Sequence, residues 1–118
     1  MFKPQIHLTG LVFVVDSTDS ERMSEASDEL QNILLNENLT NVPILILANK
    51  QDLETAMDIR QVTEKMHMYK TEGREWFVQG CSALNNGDGL IPGFQTFSQM
   101  IHRFKKINLG KHKNTQDI

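Results

Sequence analysis

The chain has 118 residues, 39% of them hydrophobic and 23% charged, which bounds it to one globular domain at most. A net charge of −3 gives no general pull toward nucleic acid, and the single cysteine, Cys81, excludes an intrachain disulfide and suits a reducing compartment. No apolar run approaches membrane-spanning length, and Met1-Phe2-Lys3-Pro4 does not open a signal peptide.

Met1 to Thr9 is a short stretch interrupted by Pro4. Leu11 to Val15 predict a first strand, and Asp19 or Ser20 is expected to cap the helix that follows. Met23, Ala26, Leu30, Ile33 and Leu34 fall on one face of that helix at 3.6-residue spacing. Asn36 to Asn41 are poor in apolar residues and read as a loop. The continuous run Val42-Pro43-Ile44-Leu45-Ile46-Leu47-Ala48 predicts a buried parallel strand. Ile59, Val62 and Met66 mark a short helix, and Trp76 to Gln79 read as a third strand. A last helix is predicted with Leu90, Phe94, Phe97, Ile101 and Phe104 as its buried stripe, Pro92 being tolerable in the first turn. The methionines and phenylalanines are read as core packing. Strand–helix–strand units with short connections imply a parallel sheet.

Asn49-Lys50-Gln51-Asp52 follows the second strand directly, where open α/β sheets bind ligands. A carboxylate such as Asp52 offers acceptors only. The Watson–Crick edge of guanine shows two adjacent donors, the ring N1–H and the exocyclic amine, and one carboxylate can take both. Adenine presents a ring acceptor there instead. The pattern is thus a guanine reader with a physical mechanism, although Asn and Asp also favour plain turns. Gly80-Cys81-Ser82-Ala83, after the third strand, is a second candidate segment. Its small residues let backbone approach a flat ligand, and a backbone N–H near Ala83 is expected to donate to the guanine O6 carbonyl. Alone, this segment reads equally as a strand–helix loop.

Together these segments resemble a known family. Gly10-Leu11-Val12-Phe13-Val14-Val15-Asp16-Ser17-Thr18-Asp19 with Glu21-Arg22, then Ala48-Asn49-Lys50-Gln51-Asp52-Leu53, Cys81-Ser82-Ala83 and Gly87-Asp88-Gly89-Leu90, are similar to the C-terminal half of Arf/Arl small GTPases, of the Ras-like class. The resemblance implies guanine selection by Asn49, Lys50 and Asp52, with the Cys81-Ser82-Ala83 loop closing over the base. It implies an α/β fold of the three-layer P-loop-NTPase type, a Ras-like Rossmannoid with a parallel sheet, truncated to its last three strand–helix units. Residues 1–9 then stand outside the resemblance, 10–107 form the C-terminal part of an Arf-like domain, and 108–118 form a basic tail expected to be disordered.

Other family elements are missing. No G-x-x-x-x-G-K-[ST] occurs, the only Gly-Lys pair being Gly110-Lys111, and no aspartate is followed three places later by Gly. The phosphate loop, its lysine, the magnesium hydroxyl and the switch segments therefore have no counterpart, and no myristoylation glycine follows Met1. Phosphoryl transfer needs positioned phosphates, metal and water, so weak or no hydrolysis is expected. GTP or GDP is the implied ligand, with magnesium only if the N-terminal half is supplied. Implied partners are effectors or regulators of the Arf type, in membrane traffic or signalling, and not nucleic acid. The alternative is a non-catalytic fragment that serves as an interaction module without tight nucleotide binding.

The remaining polar residues have modest readings. Asp16, Asp19 and Asp88 suit turn and cap duties, and His7, His67, His102 and His112 lack metal spacing. Arg103, Lys105, Lys106, Lys111 and Lys113 make the C-terminal end basic. They suit either a solvated helix end or weak attraction to an anionic membrane surface, giving the expectation of a cytoplasmic protein, peripheral to membranes on the second reading. The first strand, with no partner evident in Met1 to Thr9, is expected to leave an open edge and an uncovered sheet face.

Overall fold

The apolar run after Val42 becomes the central strand because both of its faces are covered. In the computed structural model, which describes residues 8–116, β1 is Leu11–Asp16, β2 is Ile44–Asn49 and β3 is Trp76–Gly80. They form one parallel sheet in the order β1-β2-β3, with Phe13 beside Ile46 and Ile46 beside Val78. Helices α1 (Met23–Leu34), α2 (Ile59–Lys65) and α3 (Leu90–Gln116) complete three strand–helix units, with short 3₁₀ turns at Glu37–Leu39 and Met68–Lys70. The expected truncated Ras-like α/β architecture is thus what the chain adopts.

Strand alternation sorts the core into two layers. Leu11, Phe13 and Val15 of β1 join Ile44, Ile46 and Ala48 of β2 and Val78 of β3 against α1 and α2. Leu45 and Leu47 point the other way, against Phe97 and Met100 of α3. α3 lies over β2 and β3, close enough that a Cβ on Gly93 would sit 2.9 Å from Gln79 Cγ. This placement shifts the predicted stripe of α3. Phe97 is buried, Leu90 and Ile101 pack beside it, and Met100 joins them, but Phe94 is 45% exposed.

The expected open face lies at β1. Val12 and Val14 of β1 are 37% and 59% exposed, and no described strand pairs with the outer edge of β1.

Two local expectations are corrected. α1 begins at Met23 with Arg22 at its N-cap and no side-chain capping bond; Asp19, three residues before that N-cap, instead accepts from the Arg22 N–H at 3.3 Å. α3 extends to Gln116. Arg103, grouped with the basic end, is held bidentately by Glu75, with Nη2 to Oε1 at 2.7 Å and Nε to Oε2 at 2.9 Å. Readings that rest on residues 1–7, on His112 or on the side chains of Lys111 and Lys113 lie outside what is described. Among the described residues no helix is long and apolar enough to cross a membrane.

Candidate functional site

The C-terminal ends of the three strands meet at one edge of the sheet, and all six candidate residues lie there. Asn49 closes β2, in register with Asp16 at the end of β1. Lys50 follows in the left-handed region at φ 66°, uncommon for a residue with a Cβ, and turns the chain sharply out of the strand. Cys81, Ser82 and Ala83 follow β3 directly.

The β3 loop is tied to the Ala48–Asp52 segment by a set of hydrogen bonds. Gln51 N–H donates to the Cys81 carbonyl at 3.0 Å, and Cys81 N–H to the Ala48 carbonyl at 2.9 Å. Ser82, itself buried, donates its hydroxyl to Asp52 Oδ1 at 2.6 Å. Ala83 N–H donates to Asn49 Oδ1 at 3.0 Å. By the last bond the Ala83 N–H is engaged by the Asn49 side-chain carbonyl in the free chain. Asp52 has its first oxygen fixed by Ser82, and its second takes no hydrogen bond from the described residues. It lines a cleft of about 410 Å³ with Gln51, Cys81, Ser82, Asn85 and Asp88. Cys81 is buried, and that burial pushes its thiol pKa up, away from a reactive thiolate.

Ties on the β1 side involve residues that sequence reasoning left out of the site. Gln51 Nε2 donates to Ser17 Oγ and to the Met57 carbonyl, each at 2.9 Å. Ser17 also donates its N–H to the Asn49 carbonyl and accepts from Met57 N–H. Lys50 Nζ bonds Asp16 Oδ2 at 2.7 Å. Asp16 Oδ1 accepts from both the N–H and the hydroxyl of Thr18, at 2.9 and 2.6 Å. The Lys50 ammonium and the two Thr18 bonds hold the Asp16 carboxyl at about 2, ionised throughout the neutral range. Asp16 therefore performs the turn duty expected of it and a second one across the sheet. The turn was legible as an Asx pattern two residues before Thr18; the lysine partner, 34 residues away, was not.

The Gly87-Asp88-Gly89-Leu90 turn closes the cleft. Ser82 N–H donates to the Asp88 carbonyl at 2.8 Å, which returns the chain beside the β3 loop. Gly89 sits at φ 84°, and a Cβ there would collide with the Gly80 carbonyl oxygen. Gly89→Ala should cost about 1–3 kcal/mol from the backbone conformation alone, with the collision added. Urea denaturation measures this, and an unchanged midpoint would mean that the turn relaxes freely.

The arrangement presents a fixed carboxylate acceptor in a shallow cleft, with Asn49 and Lys50 in the same strand-end turn but outside the lining of that cleft. Among the described residues no three His, Cys, Asp or Glu side chains come together as a metal site. The ADP-ribosylation factor family profile matches residues 5–101 of this chain. The chain is similar to ADP-ribosylation factor K of Dictyostelium discoideum, 41% identical over 103 residues, 86% of this chain and 54% of that protein. ADP-ribosylation factor J of the same organism is 42% identical over 93 residues, 79% of this chain and 49% of that protein. The chain thus spans about half the length of the curated relatives it matches.

Proposed function

Because the chain belongs to the ADP-ribosylation factor family, we propose that its strand-end site reads guanine in GDP or GTP. The observation that carries this is Asp52, held by Ser82 at 2.6 Å with one oxygen open beside the cleft. Its carboxylate accepts from the guanine N1–H and amine. Asn49 braces the Cys81-Ser82-Ala83 loop, whose Ala83 N–H meets the O6 carbonyl once it is shared with or released by Asn49. Lys50 has its ammonium occupied by Asp16, so what it offers the base is its methylene stem, an apolar surface suited to a flat ring. Magnesium has no ligand set among the described residues, and nothing in this reading runs through it. Effectors or regulators of the Arf type, and a role in traffic or signalling, are the partners and setting that family membership supports.

Titration of a fluorescent GDP with displacement by unlabelled GDP tests the reading; failure to displace with excess GDP would end it. Guanine contacts without a phosphate loop should bind weakly, since phosphate contacts carry much of the attraction. A second reading is favoured by the exposed Val12 and Val14 at the free β1 edge: an interaction module without tight nucleotide binding. The same titration separates the two. The purified chain should release no phosphate from GTP above background under single-turnover conditions, because the sequence holds no G-x-x-x-x-G-K-[ST]. Magnesium-dependent turnover abolished by Asp52→Ala would contradict that expectation.

A further inference from the structure

We propose that Asp16 is a positioning residue of the guanine site, acting through Lys50; the inference rests on the guanine reading above. Asp16 ends β1, on the strand next to the one that carries the motif, and the parallel register sets it beside Asn49. Its carboxylate cannot swing, because Thr18 takes one oxygen through two donors and Lys50 takes the other. The Lys50 ammonium is thereby parked on the β1 side, at the end of a backbone bent into the left-handed region.

Stability does not account for this arrangement. The two side chains are 43% and 38% exposed, and an ion pair so open to solvent adds little to folding. A left-handed lysine costs energy and persists where surrounding structure enforces it, as at binding sites. Parking the ammonium has two consequences for a base. It holds the methylene stem in one place as a wall of the site. It also keeps the ammonium from competing for Asp52, two residues on, whose open oxygen guanine needs.

Asp16→Asn isolates the effect, since the amide oxygen can still accept from Thr18 while the negative charge is lost. GDP affinity is measured for wild type, Asp16→Asn, Lys50→Ala and the double variant. Asp16→Asn should weaken GDP binding about tenfold. The double variant should bind no more weakly than Lys50→Ala alone, because Asp16 acts through the lysine. Unchanged affinity in Asp16→Asn, or losses that simply add, would overturn the proposal. A wild-type chain that binds no GDP overturns the guanine reading itself, and this inference with it, before any variant is compared. Should Asp16→Asn lose its cooperative melt, the wild type still decides. With GDP bound, the Lys50 ammonium followed by NMR should titrate above the usual lysine range, as Asp16 raises it in the free chain. A return to the ordinary range would mean that the pair is broken in the complex and would sink the idea.

Discussion

Asp52→Asn should turn a guanine-selective chain into one that accepts xanthine. Ser82 pins one carboxylate oxygen of Asp52 at 2.6 Å, so the group is oriented before any ligand arrives. In the proposed complex the open oxygen and its partner meet two donors of guanine. Adenine offers a ring lone pair at the same place and leaves a charge without a donor. Sites built to hydrogen-bond a ligand reject an analogue lacking those groups by up to about 10⁴–10⁵. The open position of Asp52 makes the lower end of that range the realistic target here. An asparagine at 52 replaces one acceptor by a donor, which suits the xanthine carbonyl and opposes the guanine amine. Competition titrations with GDP, XDP and ADP on both proteins give the result. Equal affinity of the wild type for GDP and ADP would remove Asp52 from the site.

At micromolar concentration the isolated chain should self-associate, and Val14→Lys should shift it toward monomer. Among the described residues no strand pairs with the outer edge of β1, and Val12 and Val14 are exposed beside it. Such an edge is a template for pairing with another chain, and a lysine on it is a known block. Folded domains keep only about 5–15 kcal/mol of net stability, so a sheet covered on half of one face has little margin. Size-exclusion chromatography with light scattering, run as a dilution series alongside thermal melts, reads both effects. A concentration-independent, sharply cooperative monomer, unchanged by Val14→Lys, would mean that the edge is satisfied within one chain.

Local pattern carried most of the architecture. The run Ile44 to Ala48 had to be a doubly covered strand because nothing in it tolerates water on either face, and it is buried throughout. The short helix at Ile59 was legible from its spacing, although its Asp58–Gln61 capping box was overlooked. Asn49 and Asp52 could be placed at a strand end because a strand and its following turn are contiguous in sequence. The Cys81-Ser82-Ala83 segment followed by the same logic, and the structure brings it to Asp52.

What stayed hidden were pairings between elements. Asp16 with Lys50, Ser17 with Gln51 and Glu75 with Arg103 join residues tens of positions apart. Each exists only because the strands take one register and α3 one tilt over the sheet. Periodicity specifies which face of an element is apolar, but not which polar group across a gap will find a partner. The same reason explains Phe94 and the Ala83 N–H. A stripe drawn on an isolated helix does not show where the helix leans, and Phe94, on that stripe, stays 45% exposed. A free backbone N–H in sequence becomes an occupied one once the Asn49 side chain, fixed at the end of a neighbouring strand, stands 3.0 Å away. The identity of the site's acceptor is therefore a property of residue type and strand end, while its orientation, and the parking of Lys50 against Asp16, are products of tertiary register.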